Sequence, residues 1–431
     1  MEVRILYVIG LHILLSGMYL EGFAQDQITF NQHIAPIVHT NCTPCHRPGE
    51  AGPFSLITYE DVAKRAEFIK KVTQSRYMPP WHADPEFSHF LNERRLTQQE
   101  IDLIALWVDR GAQEGKKRHR PKLPTYESGS HLSAKPDLIL TMNAPFPIPD
   151  TGTEEFRFFN IPTELPEDKW IKAIEFRPGN RRYVHHSRIM VDTTNAIRGI
   201  DGLSETDPRV YAFQETPLVD EFMYGWVPGN FPVYYPKGTA RKLFRNSDLI
   251  LNIHYAPSSI KAEDQSSILF YFTDEPIERE VKTLGLVERN ISNLPFLIPA
   301  NGKKTFYLRS KVLEAPIDII SVLPHMHFLG KSFRSFAITP TGEVVPLVKI
   351  DDWDFNWQTT YLYEELLRIP KGSVIYAEAT YDNTEENPAN PNYPPQDVTY
   401  GWNTTDEMCN LIIYYVDASE EEQAASRNIW E

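Results

Sequence analysis

The hydrophobic pattern of the chain changes period near Pro136, and that change excludes a single architecture from end to end. Upstream, Ile101, Ile104, Ala105 and Val108 are spaced for one face of a helix; Thr97 and Glu100 form a capping box before them, and Gly111 stops the run. A second helix candidate runs from about Tyr59 to Arg76, after a short segment from Phe30 to Thr40. Downstream come short β-rich runs bounded by turns: Trp170 to Phe176, Tyr183 to Val191, Leu249 to Tyr255 and Leu411 to Val416. A length of 431 residues exceeds what one hydrophobic core supports and favours about three domains of roughly 100–150 residues each. The expected fold class is multidomain: a small all-α domain over 27–115, a linker over 116–135, and two all-β sandwiches over 136–278 and 279–420. The linker assignment rests on a basic run, Lys116-Lys117-Arg118-His119-Arg120, followed by a polar, Pro-containing stretch to Pro136.

A formal net charge of -15 argues against nucleic acid or an anionic membrane surface as the main partner. Residues 1–24 read as an export signal, with Arg4 in the charged start, a largely apolar run from Ile5 to Leu20, and a small-residue cleavage site at Gly22-Phe23-Ala24. An uncleaved anchor is the rival reading, because the apolar run lies near the lower length limit for a span. After cleavage no stable membrane insertion is expected. No cysteine follows the run, which argues against a lipoprotein signal.

The chain has three cysteines, Cys42, Cys45 and Cys409, too few for a disulfide framework even though export would permit one. Two of them stand in Cys42-Thr43-Pro44-Cys45-His46, the Cys-x-x-Cys-His arrangement of c-type haem attachment, in which two thiols bond the porphyrin and the adjacent imidazole ligates iron. A redox Cys-x-x-Cys or half a zinc site is the rival reading, but no second cysteine pair and no thioredoxin-like βαβ pattern accompanies the motif. With its flanking helices, the stretch 27–115 resembles cytochrome c. The resemblance implies one covalent haem c with Met78, in Tyr77-Met78-Pro79-Pro80-Trp81, as the sixth iron ligand; His82 is the rival. His33, His39 and His89 are read as surface or core histidines. Haem c and an export signal together point to a periplasmic or otherwise exported protein, so the glycosylation sequons at Asn290 and Asn403 are discounted.

Within the β-rich part lie His185-His186, then His254, then His325-x-His327, then Met408. Thirteen histidines in 431 residues give on the order of 0.4 adjacent pairs by chance, so each pair alone is weak. Position sharpens it. Strand alternation through Leu323 to Phe328 would put His325 and His327 on one face, within reach of one metal. In the run from Leu249, the residues Leu249, Leu251, Ile253 and Tyr255 share a face and His254 points to the other. Imidazole suits zinc, copper, iron and nickel alike, whereas a thioether selects copper, and Cu(I) in particular.

The string Thr405-Asp406-Glu407-Met408-Cys409-Asn410-Leu411 resembles the copper-ligand methionine segment of the copper type II, ascorbate-dependent monooxygenases, and the order of the motifs resembles that family too. Pro178-Gly179-Asn180-Arg181 and Gly330 add to the likeness, which covers about residues 136–418. It implies two jelly-roll-like β sandwiches facing each other across a solvent-filled cleft, with two coppers. One copper would be held by His185, His186 and His254 and would supply an electron; the other, held by His325, His327 and Met408, would be the centre for O2-dependent hydroxylation of a C–H bond.

Two departures bear on substrate. In the peptide-amidating members of that family an arginine two residues before the His-x-His and a tyrosine four after the methionine hold a terminal carboxylate; here those positions are Leu323 and Ile412. The family's disulfides are also missing, and Cys409 is expected to be a buried thiol. Two functions compete. One is a copper monooxygenase acting on a small organic substrate and O2, with electrons from a periplasmic redox donor supplied through the haem. The other is an electron-transfer or copper-binding protein that keeps the ligands without hydroxylating anything. They differ in whether reduced protein and O2 yield an oxygenated product.

Overall fold

The computed structural model describes residues 28–418, apart from 51, 92, 125–131, 133, 215, 229, 231 and 402. The expected export signal over 1–24 and part of the expected linker lie outside the described residues. Among the described residues no helix is long and apolar enough to cross a membrane.

The N-terminal part is helical: a short turn of π-helix, Phe30–Ile34, then α1 (Ala35–Asn41), α2 (Tyr59–Ala63), α3 (Ala66–Gln74) and α4 (Gln98–Asp109). The capping box before α4 forms as its sequence predicts, with the Glu100 amide donating to Thr97 Oγ1 at 3.2 Å and the Thr97 amide donating to Glu100 Oε2 at 2.8 Å. Gly111, at φ +84°, turns the chain away. The helix predicted from Tyr59 to Arg76 is instead broken at Arg65, whose ψ of 14° leaves the helical range. The break preserves the buried face, since Val62, Ala66 and Ile69 all reach the core that Trp107, Ile104 and Ile34 share. The stretch after Gly111 closes this unit: Trp107 Nε1 donates to the Gln113 carbonyl at 3.0 Å, and the Phe30 amide donates to the same carbonyl at 2.8 Å.

Between α3 and α4 the chain leaves the helical unit and lies on the β-rich part. Ala83 bridges to Ile350 and Phe90 to Tyr363, the Leu91 amide donates to the Leu362 carbonyl at 2.6 Å, and Lys349 pairs with Asp84 at 2.8 Å. Ala83 and Phe90 sit in the same core as Phe333, Leu347 and Tyr361. This strap is a second connection between the two parts, besides the stretch that follows α4.

The β-rich part is two sandwiches that share a sheet. A five-stranded sheet, in the order Leu203–Ser204, Glu155–Pro162, Asp248–Tyr255, Val184–Asp192 and Asp220–Trp226, forms one outer layer. A four-stranded sheet, in the order Lys303–Arg309, Val374–Asp382, Gly330–Ile338 and Val344–Ile350, forms the other. Both pack on a single nine-stranded sheet. Its halves are joined where Arg279 and Glu280 run parallel to Thr239 and Ala240. Strand alternation fills the first core with Leu249, Leu251, Ile253 and Tyr255, and Val281, Ile320 and Val416 from the second half of the sheet enter it too. The shared sheet and these crossing side chains fix the two sandwiches against each other.

Candidate metal centres

His254 lies on the strand Asp248–Tyr255, facing away from the core as alternation requires, and pairs in register with His186. Simple alternation would send the adjacent His185 to the opposite face. The register shifts between His254 and Tyr255, which pair with His186 and Val184, so His185 is the extra residue of a β-bulge and its ring swings to the same side. His185 Nδ1 and His254 Nδ1 each lie 3.3 Å from His186 Nδ1. All three ligand atoms fall within 4.8 Å of one another. Phe156 stacks on His254 at 4.1 Å between centroids, and Glu154 Oε2 lies 3.5 Å from His254 Nε2 while accepting from Thr404 Oγ1 at 2.9 Å. Burial, then the neighbouring His254, holds the His185 imidazole down to about 4, and burial holds His186 well below its usual range. Neutral imidazoles with nitrogens converging on one point fit a metal ion.

The second set is built on the other sandwich. The strand Ile317–His325 ends at His325, and His327 lies in the irregular chain just beyond it, ahead of the turn at 328–329, with the two rings 5.1 Å apart at 83°. Their Nδ1 positions are occupied: His325 Nδ1 donates to Gln358 Oε1, and His327 Nδ1 donates to the Asp406 carbonyl at 3.0 Å. Nε2 of each ring is left as the ligand atom, the arrangement by which second neighbours fix a metal-binding tautomer. Burial, then His327, holds His325 down to about 3, and burial holds His327 at about 4. Met408 is 7% exposed and lines the same cavity as both rings. Its backbone is pinned by Tyr381, whose hydroxyl donates to the Met408 carbonyl at 2.6 Å. Next to it, Glu407 is fully buried and accepts the amides of His327 at 2.8 Å and Leu329 at 2.6 Å, tying the two ligand segments together. Two imidazoles and one thioether form a donor set that fits copper.

His186 of the first set and His325, His327 and Met408 of the second line one cavity of about 100 Å³. Phe355 stands between them, its ring 6.0 Å from His185, 6.3 Å from His254 and 5.8 Å from His327. Gly225 allows the close approach of the walls, since a Cβ there would meet Leu323 Cδ2 at 3.3 Å.

In the helical unit, Cys42 and Cys45 are unbonded thiols, and burial pushes Cys42 up to about 12. His46 Nδ1 donates to the Phe54 carbonyl at 3.2 Å, which leaves Nε2 to ligate, and Gly52 is required beside the ring because a Cβ there would lie 2.8 Å from Nδ1 and 2.7 Å from the Cys45 carbonyl oxygen. This donor set fits a covalently held haem. Met78 follows α3, its amide donating to the Val72 carbonyl at 3.1 Å, and His82 has its Nε2 buried without a hydrogen-bond partner. Both lie where the chain departs for the β-rich part. Arg181 reaches back across the junction to Glu50, at 2.6 Å, and Glu50 also pairs with Arg47 at 2.7 Å, one residue past His46. Gln358, Phe355, Glu154 and Glu50 were not singled out by the sequence. None has a spacing that marks it, because each acts on a partner distant in the chain.

Residues 304–429 match the family model described as copper type II ascorbate-dependent monooxygenase, C-terminal domain. That range holds His325, His327 and Met408 but not the three-histidine set. The chain is similar to tyramine beta-hydroxylase of Caenorhabditis briggsae, 22% identical over 67% of this chain and 50% of that protein. It is also similar to DBH-like monooxygenase protein 1 of Homo sapiens (25% identical, 75% of this chain, 56% of that protein) and of Mus musculus (26% identical, 78% and 58%). The chain thus spans about half the length of the curated relatives it matches. These matches support the copper type II monooxygenase family for the β-rich part.

Proposed function

We propose that the chain is an exported haem c and copper oxidoreductase that hydroxylates a C–H bond of a small organic substrate with O2. The observation that carries the reading is the pair of donor sets, three clustered imidazoles on one sandwich and two imidazoles with Met408 on the other, with His186 of the first set and all three residues of the second lining one cavity. Copper there supplies one-electron chemistry with O2, for the balance R–H + O2 + 2e⁻ + 2H⁺ → R–OH + H2O. The chain's own residues hold the geometry. Gln358 and the Asp406 carbonyl orient His325 and His327, Glu407 and Tyr381 fix the backbone beside Met408, and Phe355 places its ring between the sets.

Cys42, Cys45 and His46 would hold the haem, with Met78 or His82 as the sixth ligand, and haem c supplies single electrons from an external donor. The Glu50–Arg181 pair supports hand-off to the three-histidine set: Glu50 lies four residues beyond His46, and Arg181 four residues before His185. Metal analysis of the purified full chain tests the scheme. Two coppers and one haem iron per chain are expected, with one copper lost in His254→Ala and the haem spectrum kept. A chain that binds zinc in place of copper, or no haem, would overturn it.

A further inference from the structure

Phe68 is 52% exposed and sits on the outer face of α3 with Glu67, Lys71 and Gln74, while Ala66, Ile69 and Thr73 of the same helix are buried. Single exposed apolar side chains are common and carry no meaning by themselves. Phe68 differs in what stands behind it. Its ring meets the Phe54 ring edge-on at 6.4 Å, and Phe54 lies against the His46 imidazole at 4.8 Å with 30° between the planes. Three rings thus lead from solvent to the imidazole that the Cys-x-x-Cys-His motif assigns to iron. The charge around the outer ring is opposite to that of the chain as a whole. Within 64–76 stand Lys64, Arg65, Lys70, Lys71 and Arg76 against Glu67 alone, in a chain of net charge -15. Lys70 is engaged by Asp109, Arg76 by Gln98, and Asp61, just upstream, by the cap of α2. Lys64 and Lys71 are exposed, and the Arg65 guanidinium lies 4.3 Å over the Phe54 ring.

We propose that this face of the helical unit, Phe68 rimmed by Lys64, Arg65 and Lys71, is where a small acidic electron-transfer protein docks and passes one electron by way of Phe54 and His46. This rests on the haem reading and gives the external donor its chemistry. The donor loses one electron and haem iron goes from ferric to ferrous; no bond forms or breaks and no proton moves. An apolar centre with a charged rim suits a transient interface, since the ring excludes water at the contact and the rim sets the rate of encounter. A basic donor would be drawn to the acidic remainder of the chain, away from the rings.

The test is anaerobic stopped-flow mixing of the full-length, copper- and haem-loaded protein with reduced flavodoxin, an acidic donor, followed at the flavin and haem bands. Dithionite serves as the small reductant. Two acidic proteins repel, so docking elsewhere on the chain would make the bimolecular rate rise with salt. Docking here should make it fall, by about tenfold from low to physiological ionic strength. Lys71→Glu should slow flavodoxin about tenfold at low salt, and Phe68→Ala should slow it at high salt too. Both should leave reduction by dithionite unchanged. Lys117→Glu, in the basic turn after α4, should alter neither rate. A flavodoxin rate that rises with salt, rates unchanged in Lys71→Glu and Phe68→Ala, or slowing by Lys117→Glu in their place would each overturn the proposal. Failure of flavodoxin to reduce a haem that dithionite reduces would do so as well. The sign of the wild-type salt dependence decides the matter even if the variants do not fold. A sample with no c-type haem band overturns the haem reading itself, so the two failures are told apart.

Discussion

Phe90→Ala should detach the strap that ties the helical unit to the C-terminal sandwich. Phe90 is 1% exposed, with ring contacts to Tyr361 at 5.1 Å, Tyr363 at 5.2 Å and Trp81 at 6.1 Å. Truncation of a buried phenylalanine costs about 3–5 kcal/mol, the larger value applying where the site cannot collapse. Collapse is hindered here, because Tyr363 is anchored by its hydroxyl donating to the Leu347 carbonyl at 2.9 Å and Tyr361 is itself fully enclosed. A cost near the upper end corresponds to a fall of about 10–20 °C in the unfolding midpoint of the unit that contains the sandwich, at about 2–4 °C per kcal/mol. The assay is scanning calorimetry with limited proteolysis. The midpoint should fall and the stretch from 77 to 96 should become the first site of cleavage. A shift below about 2 °C with the stretch still protected would refute the idea that this docking holds the two parts together.

Gln358→Leu should leave His325 without its Nδ1 partner and weaken copper at the methionine-containing site by about 10–100-fold, while equilibrium dialysis finds the three-histidine site unchanged. The copper-free protein should lose stability as the pH falls from about 6.5 to about 4. The unfolded chain takes up protons on histidine from about 6.5, whereas burial keeps His185 and His327 neutral until about 4 and His325 until about 3, and holds His186 well below its usual range. Glu205 and Glu407, pushed up to about 8 by burial, and Glu288, also raised by burial, act with the opposite sign, but three carboxyls do not outweigh four imidazoles. A denaturant midpoint that rises on acidification through this window would contradict the argument. Peptides ending in glycine should not be turned over, since Leu323 and Ile412 neither pair with nor hydrogen-bond to a terminal carboxylate; efficient turnover measured by product analysis would show otherwise.

The parts of the site that were legible in the sequence are those governed by local backbone rules. Alternation placed His254 opposite the core residues Leu251 and Ile253, and the fold keeps it there. The expected meeting of His325 and His327 also occurs, although the strand ends at His325 and His327 lies in irregular chain beyond it. His185 escapes the rule altogether: only the bulge opposite Tyr255 lets adjacent histidines meet, and a bulge depends on a strand some 70 residues away. The Thr97 capping box was readable because both its hydrogen bonds lie within four residues. The strap was not. Ala83 and Phe90 pair as isolated bridges with strands more than 260 residues further on, so the segment carries no periodic pattern. Sharing of the nine-stranded sheet by both sandwiches likewise rests on two parallel residue pairs that leave no trace in composition or period.

The most direct measurement of the central claim follows the fate of oxygen. Fully reduced protein is exposed to ¹⁸O2 with a candidate small organic substrate, and the organic product is analysed by mass spectrometry in wild type and in Met408→Ala. The account predicts one ¹⁸O atom per product molecule in wild type and none in Met408→Ala, with the haem spectrum unchanged between them. Label inserted equally well without the Met408 thioether would contradict the assignment of that site. Oxidation of the haem by ¹⁸O2 with no labelled product from any acid, amide or amine offered would contradict the monooxygenase function itself.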